Sequence, residues 1–251
     1  MNELIKYFQE KVIFLPKKLH ENYQFQFEKP FQEYFFKTKN DGNINALYFE
    51  VENPKGVILY FHGNADNLHR WAKIASHFTD YNYNVLVMDY RTFGKSTGES
   101  TEENLYTDAQ FCYDFLKNLF AENQIIVYGR SLGGVFANYI SAYNKPKNLI
   151  LECSFYNLED MVKRWLNTSI TSKFNPYMQY KLESNEFIKN VACPITHFHG
   201  TNDFIVPIIS GKKLFKEISH QNKKFVEIPG GGHNDLIKYH LFNDEIKKIL
   251  Q

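Results

Sequence analysis

The sequence has few cysteines, and those it has are widely separated. Its 251 residues include only Cys112, Cys153 and Cys193, without the C-x-x-C spacing typical of zinc and redox sites. An odd number of distant cysteines argues against a disulfide framework and indicates a reducing compartment. We therefore expect a cytoplasmic protein without a thiolate metal site.

The sequence also lacks an excess of either charge and any long apolar run. Lys and Arg number 29 against 28 Asp and Glu, and no basic block stands out, which argues against nucleic-acid binding. No stretch approaches the roughly 20 apolar residues of a membrane-spanning helix. Near the N-terminus, Ile5, Phe8 and Val12 form one apolar face, which we expect to pack on the protein's own body rather than on a membrane.

Short apolar segments alternate with helical patterns along most of the chain. Strands buried on both faces are predicted at 57–61, 85–88, 125–128, 149–151, 195–199 and 225–228. Helices are predicted at 69–78, 102–120, 134–143, 211–218 and 235–250. This alternation predicts an α/β fold with a mainly parallel, doubly wound sheet, preceded by an antiparallel hairpin from 31–38 and 45–51.

Residues 156–190 interrupt the alternation, within what we expect to be a single domain over residues 1–251. The segment has no strand pattern but has helical patches that include Met161, Trp165 and Tyr177. An insertion between two sheet strands is a natural place for a cap over an active site. These three side chains are candidates for an apolar, substrate-binding wall, and packing of the cap onto the body is the alternative.

The segment Gly129-Arg130-Ser131-Leu132-Gly133 fits the pattern G-x-S-x-G. It directly follows one predicted strand and opens one predicted helix. A strand-to-helix elbow forces the serine into a tight turn whose neighbours must be small, and it lifts the hydroxyl above the sheet edge. Ser131 is therefore the candidate nucleophile, and an ordinary glycine-rich turn is the alternative.

A serine hydroxyl needs a base, and the base needs an acid to orient it. His233 lies in a glycine-rich loop after the last predicted strand, at the carboxyl edge where open α/β sheets carry their sites. His62 and His199 also end strands and are rivals for the base. His199 and His197 lie two residues apart, but no second group of ligands accompanies them, so a packed strand is favoured over a metal site.

The acid and the oxyanion donors follow from the same edge. Asp203 comes after the strand 195–199 and completes the chain order serine, acid, histidine, and Glu152 at the end of another strand is its rival. Two amides must stabilise the developing oxyanion. The candidates are the amide of Leu132, next to the nucleophile, and that of Asn64, where Gly63 permits a close backbone approach.

Five motifs in this order resemble those of the BEM46-like α/β-hydrolases. They are 60–64 (YFHGN), 89–96 (DYRTFGKS), 128–134 (YGRSLGG), 199–207 (HGTNDFIVP) and 232–233 (GH). The similarity runs from about residue 9 to the C-terminus. Thr92 departs from the pattern, because relatives usually have Gly there. Many relatives carry an N-terminal membrane anchor, which we do not expect in this chain.

The resemblance implies a serine hydrolase that acts on acyl esters or thioesters, with Ser131, Asp203 and His233 as triad and the amides of Asn64 and Leu132 as oxyanion hole. No cofactor or metal is expected, and the partner is a small-molecule or acyl-chain ester. A serine peptidase of the same fold is one alternative. A non-catalytic binding protein is the other, although an intact serine, acid and histidine in the right order argue against it.

Overall fold

The computed structural model describes residues 9–11, 13–166 and 178–251. An eight-stranded sheet forms the centre of this part of the chain. Its strands are β1 (Phe31–Lys37), β2 (Asn43–Phe49), β3 (Val57–Phe61), β4 (Asn84–Met88), β5 (Ile125–Arg130), β6 (Asn148–Glu152), β7 (Ile195–Gly200) and β8 (Lys223–Ile228).

The strand order is β8-β7-β6-β5-β3-β4-β2-β1. Strands β3 to β8 are parallel, whereas β2 pairs antiparallel with both β4 and β1. Because β3 lies between β4 and β5, the chain changes its direction of winding there, and the loops after β3 and β5 meet at the carboxyl edge. Open α/β sheets place their binding sites at such a switch point.

Helices cover both faces of the sheet. They are α1 (Leu68–Ala75), α2 (Glu102–Lys117), α3 (Gly133–Tyr143), α4 (Leu158–Leu166), α5 (Ser184–Phe187), α6 (Ile208–Lys216) and α7 (His240–Leu250). Side-chain oxygens cap three of them: Asn67 accepts a hydrogen bond from the His69 amide before α1, Thr101 accepts one from the Asn104 amide before α2, and Asn157 accepts one from the Asp160 amide before α4. These caps satisfy amides that have no partner within the helix.

Strand β3 shows why the apolar runs are continuous. Val57, Leu59 and Phe61 pack into the core on one side of the sheet, and Ile58 and Tyr60 pack into the core on the other. All five are buried. A strand with helices on both faces has no solvent side, so alternation between polar and apolar residues is lost.

The predicted fold class is confirmed, with differences at the ends of elements. The second hairpin strand covers Asn43–Phe49 rather than 45–51, since Lys37 pairs with Asn43 directly across the turn. The last helix begins at His240 rather than 235, because a 3₁₀ turn at Leu236–Lys238 precedes it. Helix α1 ends at Ala75, before another 3₁₀ turn, and α2 ends three residues earlier than expected.

The segment predicted as a cap lies between β6 and β7 and contributes α4 and α5. At the other end of the chain, Leu15–Pro16 pairs in parallel with Ala65–Asp66, so an N-terminal arm lies along the loop after β3. The apolar face expected at Ile5, Phe8 and Val12 lies outside the described residues. In the described ranges, no helix is both long and apolar enough to cross a bilayer.

Candidate active site

Ser131 occupies the sharp turn between β5 and α3. Its φ is 53°, in the left-handed region that side chains normally avoid, which is the backbone strain expected of a nucleophile elbow. Gly133 shows why small neighbours are required, because a Cβ there would collide with the Phe61 carbonyl group of β3. The Ser131 amide donates to the Glu152 carbonyl oxygen at 2.8 Å, which fixes the turn against β6.

Asp203 and His233 form a direct hydrogen-bonded pair, with 2.7 Å between His233 Nδ1 and Asp203 Oδ2. The second carboxylate oxygen accepts from the amides of Ile205 and Val206 at 3.0 and 2.8 Å. Burial acts to raise the pKa of Asp203, but the hydrogen bond and charge of His233, with the Val206 amide, outweigh it and hold the pKa below its ordinary value. The carboxyl group is therefore an anion at neutral pH and holds the imidazole by its Nδ1.

Ser131 and His233 come from loops that meet through Arg130. The Arg130 guanidinium donates to the carbonyl oxygen of His233 at 3.1 Å, so the residue before the nucleophile touches the histidine backbone. Between the Ser131 hydroxyl and the His233 ring, both in the described part of the chain, the structure shows no hydrogen bond.

The two histidines considered as rivals have other partners. His62 is fully buried, with its Nδ1 2.7 Å from the Gly63 carbonyl oxygen and its Nε2 3.2 Å from Asp89 Oδ1. His199 Nε2 lies 2.8 Å from the Val206 carbonyl oxygen and 3.5 Å from Asp203 Oδ2. A carbonyl oxygen only accepts, so the His199 proton is on Nε2. His199 therefore lies behind the acid, and His62 shapes the loop after β3.

His197 lies behind His199, with 3.5 Å between the His197 Nε2 and His199 Nδ1 atoms. Burial lowers the pKa of both side chains, more strongly for His197. Both are therefore neutral at neutral pH and serve as packed polar groups beneath the loop that carries Asp203.

Glu152, the rival acid, is also occupied elsewhere. Its Oε2 accepts from the Tyr128 hydroxyl at 2.6 Å, and its Oε1 lies 3.4 Å from Arg130 Nε. The side chain is buried under the elbow. Its carboxylate thus balances the charge of Arg130.

Asn64 is held by the N-terminal arm. Its side chain donates to the Ile13 carbonyl oxygen at 2.9 Å, and its own carbonyl accepts from the Leu15 amide at 2.8 Å. Gly63 comes close to the nucleophile, because a Cβ there would lie 3.8 Å from the Ser131 Cβ. The loop after β3 is therefore placed beside Ser131 by a segment about 50 residues earlier in the chain.

Ser131, Leu132 and Asn64 line one small cavity of about 40 Å³. Its remaining walls are apolar and consist of Ile13, Phe155, Leu158, Met161, Leu182, Ile205 and Val206. Met161 thus lies where the sequence predicts a substrate wall, but it is also buried in the core. Trp165 belongs to α4, although its side chain is outside the described part, and Tyr177 lies outside the described residues.

Sequence reasoning missed two contributors to this site. Ile13 belongs to the N-terminal arm, and no local pattern places that arm against the loop after β3. Arg130 is the variable position of G-x-S-x-G, where the motif itself requires no particular side chain. Burial of a charged residue beside a nucleophile becomes visible only when its partners are placed.

Metal-ligand types come together once among the described residues. The sulfur of Cys153 and ligand atoms of Asp203 and His233 lie within 4.8 Å of one another. Burial raises the pKa of the Cys153 thiol well above its ordinary value, which disfavours the thiolate that a metal needs. An ion there would also have to break the hydrogen bond between Asp203 and His233.

Comparisons with known proteins place the chain in a family. Residues 52–190, more than half of the chain, match a family model described as serine aminopeptidase, S33, in a group of hydrolases. Protein bem46 of Schizosaccharomyces pombe is 30% identical over 220 residues, which cover 84% of this chain and 73% of that protein. The chain belongs to the BEM46-like α/β-hydrolase family. As a member of this family, it is a hydrolase.

Other relatives extend the comparison. An uncharacterised protein of Acanthamoeba polyphaga mimivirus is 32% identical over 80% of this chain and 74% of its own length. Lysophosphatidylserine lipase ABHD12 of Danio rerio is 29% identical over 70% of this chain, which spans about half (50%) of that protein. An esterase of Pyrococcus furiosus has the same fold, with a TM-score of 0.74, 16% identity and coverage of 95% of this chain and 96% of that one.

Proposed function

We propose that the protein is a serine hydrolase that cleaves carboxylic ester or thioester bonds through an acyl-enzyme on Ser131. The observation that carries the proposal is the hydrogen bond of 2.7 Å between Asp203 and His233, at the same sheet edge as a serine with φ of 53°. A scaffold that only binds has no need of a strained serine beside an oriented imidazole. The esterase and lipase names among its relatives support the same reaction class.

The proposed mechanism is transfer of an acyl group to water. His233 removes the Ser131 proton as the oxygen attacks the carbonyl carbon, and the amides of Asn64 and Leu132 stabilise the oxyanion. His233 then gives that proton to the leaving alcohol or thiol as the carbonyl–heteroatom bond breaks. In the second half, His233 takes a proton from water, which attacks the acyl-enzyme. The carboxylic acid departs and the proton returns to Ser131.

Labelling with a fluorophosphonate tests the nucleophile directly. We expect wild-type protein to be labelled and to hydrolyse an activated ester, and Ser131→Ala to lose both, because the change removes one oxygen and no packing. Circular dichroism and the melting temperature of the variant should match the wild type. Label on the variant, or residual turnover within about tenfold of wild type, would place the nucleophile elsewhere.

A serine peptidase is the second candidate, because the matched family model is described as a serine aminopeptidase. The same catalytic groups attack amides, so the triad does not separate the two activities. A matched pair of substrates does: an aminoacyl p-nitroanilide and the corresponding p-nitrophenyl ester. If the rate enhancement over the uncatalysed reaction is larger for the amide than for the ester, the ester assignment is wrong and the protein is a peptidase.

We further propose that the segment 156–190 limits the length of the acyl group, with Met161, Trp165 and Tyr177 as the wall. The presence of Met161 in the cavity beside Ser131 supports this. Trp165→Ala or Tyr177→Ala should change the ratio of octanoate to acetate ester hydrolysis. An unchanged ratio for both variants would assign them to packing of the cap.

The cytoplasmic location expected from the cysteines stays a prediction.

A further inference from the structure

Arg130 is a charged side chain buried at the centre of the site, and the triad chemistry gives it no task. It is 5% exposed, and its guanidinium carbon lies 5.2 Å from the centre of the Trp71 ring. Burial acts to lower the pKa of Arg130, but the charge of Glu152 outweighs it and holds the pKa above its ordinary value. Arg130 is thus a permanent cation under the elbow, with Glu152 as its counter-ion.

The same guanidinium holds the loop that carries the base. Its Nη2 donates to the His233 carbonyl oxygen and to Asn234 Oδ1, both at 3.1 Å. These bonds join positions 103 and 104 residues apart in the chain. Because Arg130 precedes Ser131 on a rigid central strand, the side chain links the histidine backbone to the nucleophile turn through one residue.

The histidine loop needs such a restraint. His233 follows three consecutive glycines, and Gly230 adopts a φ of 76°. Glycines leave the backbone free to take many conformations, so the position of the ring is not determined by local sterics. The loop is also tied to its surroundings: the Gly232 amide donates to Asp235 Oδ1 at 2.7 Å, and Gly230 and Gly231 make hydrogen bonds with Thr201, Asn202 and Tyr239. These bonds fix the shape of the loop and hold it beside the loop that carries Asp203, but none of them reaches the turn that carries Ser131.

We propose that Arg130 is a positioning residue that sets the distance and direction of the His233 ring relative to Ser131. Glu152 keeps the guanidinium charged and aligned, and Tyr128 in turn holds Glu152. The inference rests on the proposed function, because it assigns a role within that reaction. It predicts that loss of Arg130, when its counter-ion is neutralised as well, slows the chemical steps without weakening the fold or the binding of a small ester.

The decisive variant is Arg130→Met combined with Glu152→Gln. Removing Arg130 alone leaves a buried carboxylate without a partner, which destabilises a protein for reasons unrelated to catalysis. The double variant removes both charges and keeps the volume. We expect kcat to fall by about 100-fold with KM unchanged, since a misplacement of about 1 Å costs that much. The melting temperature should stay near that of the wild type.

Arg70 supplies the matched control. Its guanidinium carbon lies 4.9 Å from the same Trp71 ring, but among the described residues none of its interactions reaches the His233 loop. Arg70→Met should therefore leave kcat unchanged. Asn234→Ala, which removes one of the two acceptors, should give an intermediate loss. The order of the three variants separates positioning from general stacking on Trp71.

Chemical rescue adds a readout that a structural role would not move. A cavity of about 380 Å³, lined in part by Arg130, Glu152 and Asn234, provides a path for a small cation to this point. Guanidinium chloride, well below unfolding concentrations, should raise the kcat of Arg130→Ala by about tenfold. Potassium chloride at the same concentration should leave the kcat of Arg130→Ala unchanged, and neither salt should restore the activity of Ser131→Ala.

Other outcomes of these experiments would overturn the role of Arg130 or the proposed function. Turnover of the double variant within about threefold of wild type would overturn the inference, as would an equal loss in Arg70→Met. A loss that follows the melting temperature and resists guanidinium would assign Arg130 to structure alone. A wild-type protein that neither hydrolyses the ester nor takes the fluorophosphonate label contradicts the proposed function itself.

Discussion

Two buried Asp–His pairs lie at the carboxyl edge of the sheet, one after the strands β3 and β4 and one in the loops after β7 and β8. In the first pair, His62 and Asp89 are both fully buried, and the second ring nitrogen of His62 faces the Gly63 carbonyl oxygen. In the second pair, Asp203 is buried, but the His233 side chain is 9% exposed. The two pairs contain the same chemical groups and differ in access to a substrate.

The pKa values of the two carboxyl groups are also shifted in opposite directions. Burial raises the pKa of Asp89, because the hydrogen bond and charge of His62 and the Leu68 amide only partly compensate it. The pKa of Asp203 is lowered, since two amides and His233 outweigh burial there. An acid that orients a base must be an anion over the working pH range. Asp203 has more hydrogen-bond donors than Asp89 and is less deeply buried, and both differences separate the catalytic candidate from the structural pair.

Breaking each pair in turn should have the largest effect on activity. Asp203→Asn leaves His233 in the wrong tautomer, a defect that lowers turnover by about 10³- to 10⁴-fold in enzymes of this type. Asp89→Asn should change turnover by less than about tenfold and act through the fold, with a loss of about 1–3 kcal/mol for a weakened buried hydrogen bond. Turnover of an activated ester and melting curves check both variants. A greater loss of turnover in Asp89→Asn would reverse the assignment of the two pairs.

The pH dependence of stability should sharpen the comparison, because the two shifts have opposite signs. The folded pKa of Asp203 lies below 3.8, so its contribution to stability is present above that pH and is lost as the pH falls through the folded pKa. The folded pKa of Asp89 lies above 3.8, so its contribution is present at acid pH and is lost as the pH rises.

Replacement by asparagine should therefore give opposite trends. Asp203→Asn should lower the melting temperature more at about pH 7 than at about pH 3, whereas Asp89→Asn should do so more at about pH 3. Differential scanning fluorimetry of the two variants and the wild type in matched buffers measures the trend. Parallel pH profiles for the two variants would mean that the carboxyl groups have similar environments after all.

The smallest effect is expected in the turn that follows Asp89. Thr92 has a φ of 75°, at the position where relatives usually have glycine. Glycine adopts this conformation without the steric cost of a Cβ, so Thr92→Gly should raise the free energy of unfolding by about 1 kcal/mol. Chemical denaturation measures it, and turnover should be unchanged because the turn belongs to the structural pair. Destabilisation would show that the Thr92 side chain contributes more than the strain it causes.

Some features of the fold and of the site follow from local patterns in the sequence. Ser131 was found from a local pattern, because the elbow depends on the sterics of five consecutive residues. The strands were found for a similar reason, since burial on both faces leaves a continuous apolar run. The rule that loops after parallel strands share one edge admitted Asp203 and His233 together with their rivals Glu152, His62 and His199. The chain order and the family resemblance favoured Asp203 and His233.

Other features depend on contacts between distant residues. The bond from Arg130 to the His233 loop spans 103 residues, and Ile13 reaches the cavity only because Leu15–Pro16 pairs with Ala65–Asp66. The start of the last helix was also missed. There the Asp235 side chain accepts from the Gly232 amide, and a 3₁₀ turn forms before the helix begins at His240. Helical periodicity carries no signal for such side-chain competition.

The two outer strands of the sheet, β1 and β8, affect whether copies of the protein associate at high concentration. An edge strand exposes unpaired backbone groups that another chain can extend into a growing fibril. On β8, Lys224 and Glu227 point to solvent and are paired with Glu245 and Lys212. On β1, Glu33 is paired with Lys95. We therefore expect these charges to disfavour association of copies through the sheet edges.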